Sequence, residues 1–278
     1  MGTRPFRGLY VTNIAANNIE IYNAINPLEP ERFGEFGGGN LNAPSGMAIT
    51  GNILYVANAG AQANIEIFDI TDPRDPERVG EFAGGDLNNP NALLVVGDIL
   101  YVTNLLDFNV EIYDISDPLD PQRVGEFGSG DLARPNGLAV IGNILYVSNA
   151  FGPNVEIYDI TDPTDPQRVG EFGTGDLSNP IGLAITGNIL YVANFTGNTV
   201  EIYDITDATD PSRITEFGLG QLSGPTEMTI LGSLLYVVNI GDNTVEIYDI
   251  SDPDAPVRVD QFNSGNLVSP FGIIFAPA

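Results

Sequence analysis

The sequence predicts an all-β fold, a six-bladed β-propeller of four-stranded antiparallel blades whose ring closes when the C-terminal strand completes the N-terminal blade. Three observations point there. The motif Tyr-Val-x-Asn recurs at Tyr10, Tyr55, Tyr101, Tyr146, Tyr191 and Tyr236, at spacings of 45, 46, 45, 45 and 45 residues. Each unit holds four short runs of strand composition, and no segment sustains a helical 3.6-residue period. The chain opens on a second strand whose first strand is missing and finishes on a lone first strand, so its ends are complementary. Residues 1–278 are therefore expected to form a single propeller domain of six repeats.

The unit near the middle of the chain shows each element in order. GLAVI (137–141) is an inner strand, and the tight Gly142-Asn143 connection leads to ILYVSN (144–149). That second run is continuously apolar and rich in β-formers, as expected of a strand covered on both faces. NVEIYDI (154–160) is third and QRVGEF (167–172) fourth, joined by Asp-Pro turns. At the ends, GLYVTN (8–13) is the opening second strand and FGIIFA (271–276) the closing first strand. A closed ring leaves no long exposed edge. A β-solenoid is the alternative, but the hairpin-like turns and the terminal phase shift speak against it.

Composition narrows the chemistry. The chain has 10 Lys+Arg, all of them Arg, against 37 Asp+Glu, a net charge of -27. Nucleic acid is not expected as a partner, because phosphate binding needs clustered cations, and the same charge argues against docking on anionic lipid. No apolar run approaches membrane-spanning length, and MGTRPFRGLYVTN carries no leader-like apolar stretch. Cys, His, Trp and Lys are all absent. That removes disulfides, thiolate and imidazole metal ligands, Schiff-base chemistry and the usual activators of a Ser nucleophile. Carboxylate, Tyr and Arg chemistry remains, or a hard cation held by oxygen.

Repetition separates scaffold from candidate site. Eleven Tyr and six periodic Phe occupy fixed repeat positions and are expected to form the inter-blade core, each buried ring contributing roughly 1.5–3 kcal/mol. Arg123 and Arg168 lie in a fourth-strand column of six Arg, and Glu111 and Glu156 in a third-strand column of six Glu. The matched columns predict structural ion pairs, within or between blades, although simple hairpin register places Arg168 nearer Asp159 than Glu156. Turn residues such as Asp117 and Asp120 are read as capping backbone N–H groups. Calcium is the one cation they leave open, but the spacing lacks a known calcium-loop pattern; no metal site and no cofactor are expected.

The repeats carry a resemblance. Tyr10-Val11-Thr12-Asn13 and Tyr101-Val102-Thr103-Asn104 match the YVTN repeat family literally, and Tyr158 to Pro163 (YDITDP) looks like the LVIVD repeat family. Both are β-propeller families. The resemblance covers essentially the whole chain and implies the fold, with an extracellular or cell-surface setting; it leaves the role open.

Function is sought where the six copies disagree. The loops joining second to third strands differ most, and they carry Leu105, Leu106, Phe108, Phe151, Phe195 and Ile240. Phe271, after a periodic Pro, is expected near the same rim. Apolar side chains on one face predict either a contact surface or a cap packed on itself. Glu227 stands where the other inner strands have Gly or Ala, and there it can orient a ligand or a cation or simply be solvated. The expectation is a non-enzymatic scaffold that binds protein, or copies of itself, through one face. The alternatives are a channel-centred hydrolase, lactonase or lyase with a hard-cation site, and an engineered or recently amplified scaffold without an evolved ligand.

Overall fold

The structure is a computed structural model describing residues 5–263 and 265–277; the first four residues of the segment inspected for a leader lie outside that range. Among the described residues, 24 strands form six four-stranded antiparallel sheets. Blade 1 joins Pro270–Phe275 to Gly8–Asn13, Asn18–Asn23 and Glu31–Phe36. The inner strands of blades 2 to 6 are Pro44–Thr50, Pro90–Val96, Pro135–Ile141, Pro180–Thr186 and Pro225–Leu231. Closure is by antiparallel pairing of the chain ends, with Leu9 opposite Phe275 and Val11 opposite Ile273. Phe6 reinforces it by packing edge-on to Phe33, with the Arg74 guanidinium of the next blade over its ring.

Element ends shift slightly from expectation. Each inner strand begins at its periodic Pro, two residues before GLAVI in blade 4. The third strand there ends at Asp159, because the Ile160 N–H bonds the carbonyl of Asn143 in the adjacent turn.

Packing between blades follows from the repeated residues. Phe82 stands edge-on between Tyr55 of its own blade and Tyr113 of the next, and Phe127 and Phe172 repeat the arrangement. The buried second-strand tyrosines also direct their hydroxyls outward to the following blade. Tyr10, Tyr55, Tyr101 and Tyr236 donate to the carbonyls of Pro73, Pro118, Pro163 and Pro27, and Tyr146 to that of Ala208. The Asp-Pro turns thus act as acceptors for neighbouring blades as well as chain reversals.

Toward the axis, glycine is needed for close approach. A Cβ on Gly46, Gly137, Gly182 or Gly272 would lie 2.2–2.3 Å from a carbonyl oxygen of the adjoining inner strand. At these four joints a bare Cα lets the inner strands converge this closely, whereas Ala92 and Glu227 hold the same position in blades 3 and 6.

Candidate functional site

The charged columns pair within blades. Arg168 donates through Nε to Glu156 at 2.6 Å and through Nη2 to Glu171 at 2.6 Å, and Arg123 holds Glu111 and Glu126 in the same way. The register explains the choice of partner. Arg168 lies opposite Tyr158, and a bulge at Val169 brings Gly170 opposite Ile157. Arg168 is therefore diagonal to Glu156 on one face. Glu156 and Glu111 are almost fully buried, and that burial pushes their carboxyls up against the opposing pull of the arginines. Asn154 and Asn109 donate to the remaining oxygens.

The Asp-Pro turns use their carboxylates on backbone. Asp114, Asp117, Asp159 and Asp162 accept N–H groups two residues on. Among the described residues no group of three or more carboxylates is arranged to hold a metal ion.

The loop face divides into packed and exposed residues. Phe195 and Ile240 are half-buried, one on either side of Gly224, whose Cβ would meet both at 3.1 Å. Leu105 is half-buried as well. Leu106, Phe108 and Phe151 are exposed, by 42%, 44% and 62%. Phe271 corrects the expectation of a rim residue: it is buried, because the inner strand already begins at Pro270 and sets Phe271 within the ring, where its carbonyl accepts from Thr226 Oγ1.

Phe108 is unlike its counterparts. Its φ is +60°, left-handed backbone that a bulky side chain adopts only at a cost. Asn17, Asn198 and Asn243 occupy this place in blades 1, 5 and 6, and each accepts a backbone N–H of the next blade. Phe108 cannot accept one. The corresponding residue of blade 4 is Pro153; Arg134, in the loop that enters that blade, places its guanidinium 4.0 Å over the exposed Phe151 ring. The six asparagines that end the second strands are buried staples: Asn104 and Asn149, for example, accept the N–H groups of Asn88 and Ala133 in the loops that enter their blades.

A second feature was not anticipated. Around the axis, a hydroxyl from one blade donates to the carbonyl after the periodic Pro of the next. Thr12 donates to Ser45, Thr103 to Asn136 and Ser148 to Ile181 from second strands. In blades 2 and 6 the second strand has Ala57 and Val238, and the hydroxyl comes from the inner strand: Ser45 donates to Asn91 and Thr226 to Phe271. Blade 5 has Ile181 and Ala193, so no hydroxyl reaches the Thr226 carbonyl. The two columns lie 12 residues apart, and a side-by-side comparison of them in the sequence would have revealed the compensation.

Glu227 sits at this same joint. It lines a cavity of about 40 Å³ on the axis with Met47, Ala92, Leu93, Leu138 and Ile273. Its Oε1 is buried without a hydrogen-bond partner, and its Oε2 lies 3.2 Å from where a Gly182 Cβ would stand. Burial pushes the carboxyl up to about 7, opposed only by the Met228 N–H.

Comparison with known proteins fits this architecture. The LVIVD repeat model matches residues 181–218, which is blade 5, and the chain is a β-propeller repeat protein. No curated protein is similar to it in sequence. A solved nidogen/laminin complex contains a chain that superposes with a TM-score of 0.73 at 17% identity, over 98% of both chains. A proposed 6-phosphogluconolactonase from Bacteroides fragilis NCTC 9343 gives 0.75 at 12% identity, over 100% of this chain and 99% of that one. The periplasmic gluconolactonase of Pseudomonas aeruginosa gives 0.69 at 12% identity, over 94% and 80%. These likenesses establish a common fold. They also correct the expectation that the chain is not an enzyme, since lactonases are built on the same frame. Composition had removed His, Lys and Cys chemistry, but it left carboxylate chemistry, and one carboxyl stands in the channel.

Proposed function

We propose that the chain is an extracellular or cell-surface propeller that binds a protein partner through its loop face at blades 3 and 4. The observation that carries this is Phe108, an exposed aromatic held at a left-handed φ where three other blades place a hydrogen-bonding Asn. Local strain that forgoes a backbone hydrogen bond is retained where the side chain has work to do. Leu106 and the Arg134–Phe151 stack belong to the same two blades, and exposed aromatic and Arg side chains are the usual anchors of protein interfaces. A neighbouring propeller solved in a nidogen/laminin complex supports this use of the frame.

The test is a comparison of wild type with Phe108→Asn/Phe151→Ala for retention of proteins from an extracellular fraction, alongside the solution mass of each alone. A partner retained by wild type and lost by the variant supports binding at this face. A concentration-dependent mass abolished by the variant makes the partner a second copy. Equal retention and equal mass in both refute it.

Glu227 favours a second reading, chemistry in the channel. A carboxyl titrating near neutrality is suited to general base catalysis, and two lactonase neighbours share the frame. Hydrolysis of 6-phosphogluconolactone or gluconolactone above background by wild type, lost in Glu227→Gln, would support it. Equal rates in both would remove it.

A further inference from the structure

We infer that the outer edge of blade 1, on the face of the Asp-Pro turns, is a docking site for a second copy of the chain, and that it takes the Asp117-Pro118-Leu119-Asp120 turn of blade 3. Blade 1 departs from the other five at this one place. Asn23 and Asn26 replace two aspartates that every other blade keeps, Ile25 replaces a Ser or Thr, and Phe33 replaces a Val or Ile. Ile25, Leu28 and Phe33 are exposed. Phe33, Pro5 and Phe6 wall a cavity of about 170 Å³, with Arg32 and Arg74 as its cations and Glu31 as its one acid. Arg32 is committed to Glu20 and Glu35. Arg74 lies over the Phe6 ring, 4.5 Å from its centroid and 3.9 Å from Asp72.

The occupant follows from charge and shape. The other turns of this face each carry aspartates that repel an acidic segment, whereas this edge offers an apolar wall and a guanidinium. The chain has a segment of matching chemistry. Leu119 is 57% exposed in the blade 3 turn, between the exposed Asp117 and Asp120, and its N–H bonds Asp117 Oδ1 at 3.1 Å. Blades 2, 4, 5 and 6 have Arg74, Thr164, Thr209 and Asp254 at that position. Seating Leu119 against Phe6 and Phe33 covers apolar surface on both copies and brings its flanking carboxylates to Arg74. Blades 1 and 3 stand two steps apart in the ring, so the contact joins unlike surfaces. A dimer made this way keeps one unused patch and one unused turn, and assembly continues into a ring or a filament. One turn makes a small interface, so association belongs to high concentration. The site lies on the face opposite the loops of blades 3 and 4 and stands independently of the partner proposed there.

Sedimentation of the full chain in about 0.15 M salt, where repulsion between like-charged copies is screened beyond about 8 Å, tests the contact at concentrations up to about 1 mM. Wild type should pass from monomer through dimer to larger species. Phe33→Val/Arg74→Thr and Leu119→Thr both introduce residues that other blades carry at those positions, and each should sediment as a monomer. An equimolar mixture of the two should form a dimer and stop there, because one supplies an intact turn and the other an intact patch. Phe108→Asn/Phe151→Ala should associate as wild type does. The inference is overturned by a wild type that stays monomeric throughout, by a Leu119→Thr chain that associates as wild type, or by a mixture that stays monomeric. Association abolished by Phe108→Asn/Phe151→Ala would overturn it too, moving the contact to the loop face.

Discussion

Substituting Gln for Glu227 removes a titrating carboxyl while keeping its shape, and the pH dependence of stability should change in a calculable way. In the folded protein burial pushes this carboxyl up to about 7 from its ordinary value of 4.5. Below 4.5 both states are protonated and the group does not oppose folding. As pH rises the unfolded chain ionises first, so stability falls until the folded carboxyl also ionises near 7, and is flat beyond. That elevation corresponds to roughly 3 kcal/mol in full, of which about 2–3 kcal/mol falls between pH 5 and pH 8. The other buried carboxyls, Glu111 and Glu156 among them, contribute equally to both proteins and cancel in the comparison. Urea unfolding of wild type and Glu227→Gln at pH 5 and pH 8 gives the four stabilities required. The variant should lose about 2–3 kcal/mol less than wild type over that interval. Equal losses would mean that Glu227 is solvated in the folded ring, and the reasoning about its burial would fail.

Arg168→Met strands the Glu156 carboxylate and should cost about 2–4 kcal/mol, less than a fully buried pair because Arg168 is 37% exposed. Glu171→Gln, at the exposed end of the same bridge, should cost under about 1 kcal/mol in the same denaturant assay. Ala193→Ser restores the missing hydroxyl to a site where blade 4 already has Ser148, and a gain of about 1 kcal/mol is expected in chemical denaturation at pH 5, where Glu227 is protonated. Phe108→Asn should raise the melting temperature, relieving about 1–2 kcal/mol of backbone strain, even as it weakens the loop face.

The fold was legible because its signals are repeated and local. Six Tyr-Val-x-Asn motifs place the second strands, and the phase shift between the ends announces closure at Gly8–Asn13 and Pro270–Phe275. Glu227 was legible as a break in a column of small residues. What it faces was not, since the cavity gathers residues from five blades. The Arg and Glu columns were equally visible, yet the partner of Arg168 depended on a bulge at Val169 that no composition signals. Phe108 stood out as a loop aromatic, but its significance rests on a dihedral angle. The hydroxyl ring escaped notice because each bond joins different blades and its donor changes column from one blade to the next. Phe271 was misplaced for a simpler reason, a strand that starts one residue earlier than its apolar run.

The gap in that ring bears on how the molecule would come apart. The joint between the chain's two ends is covered by full strand pairing in blade 1. Blades 5 and 6 meet without the hydroxyl bond, and Tyr191, alone among the six second-strand tyrosines, has a hydroxyl without a partner there. A joint that lacks these two stitches therefore lies inside the continuous chain rather than at its noncovalent clasp. Glu227 rides on that joint, so acidification, by neutralising it, would tighten the circle there, whereas alkali would loosen it.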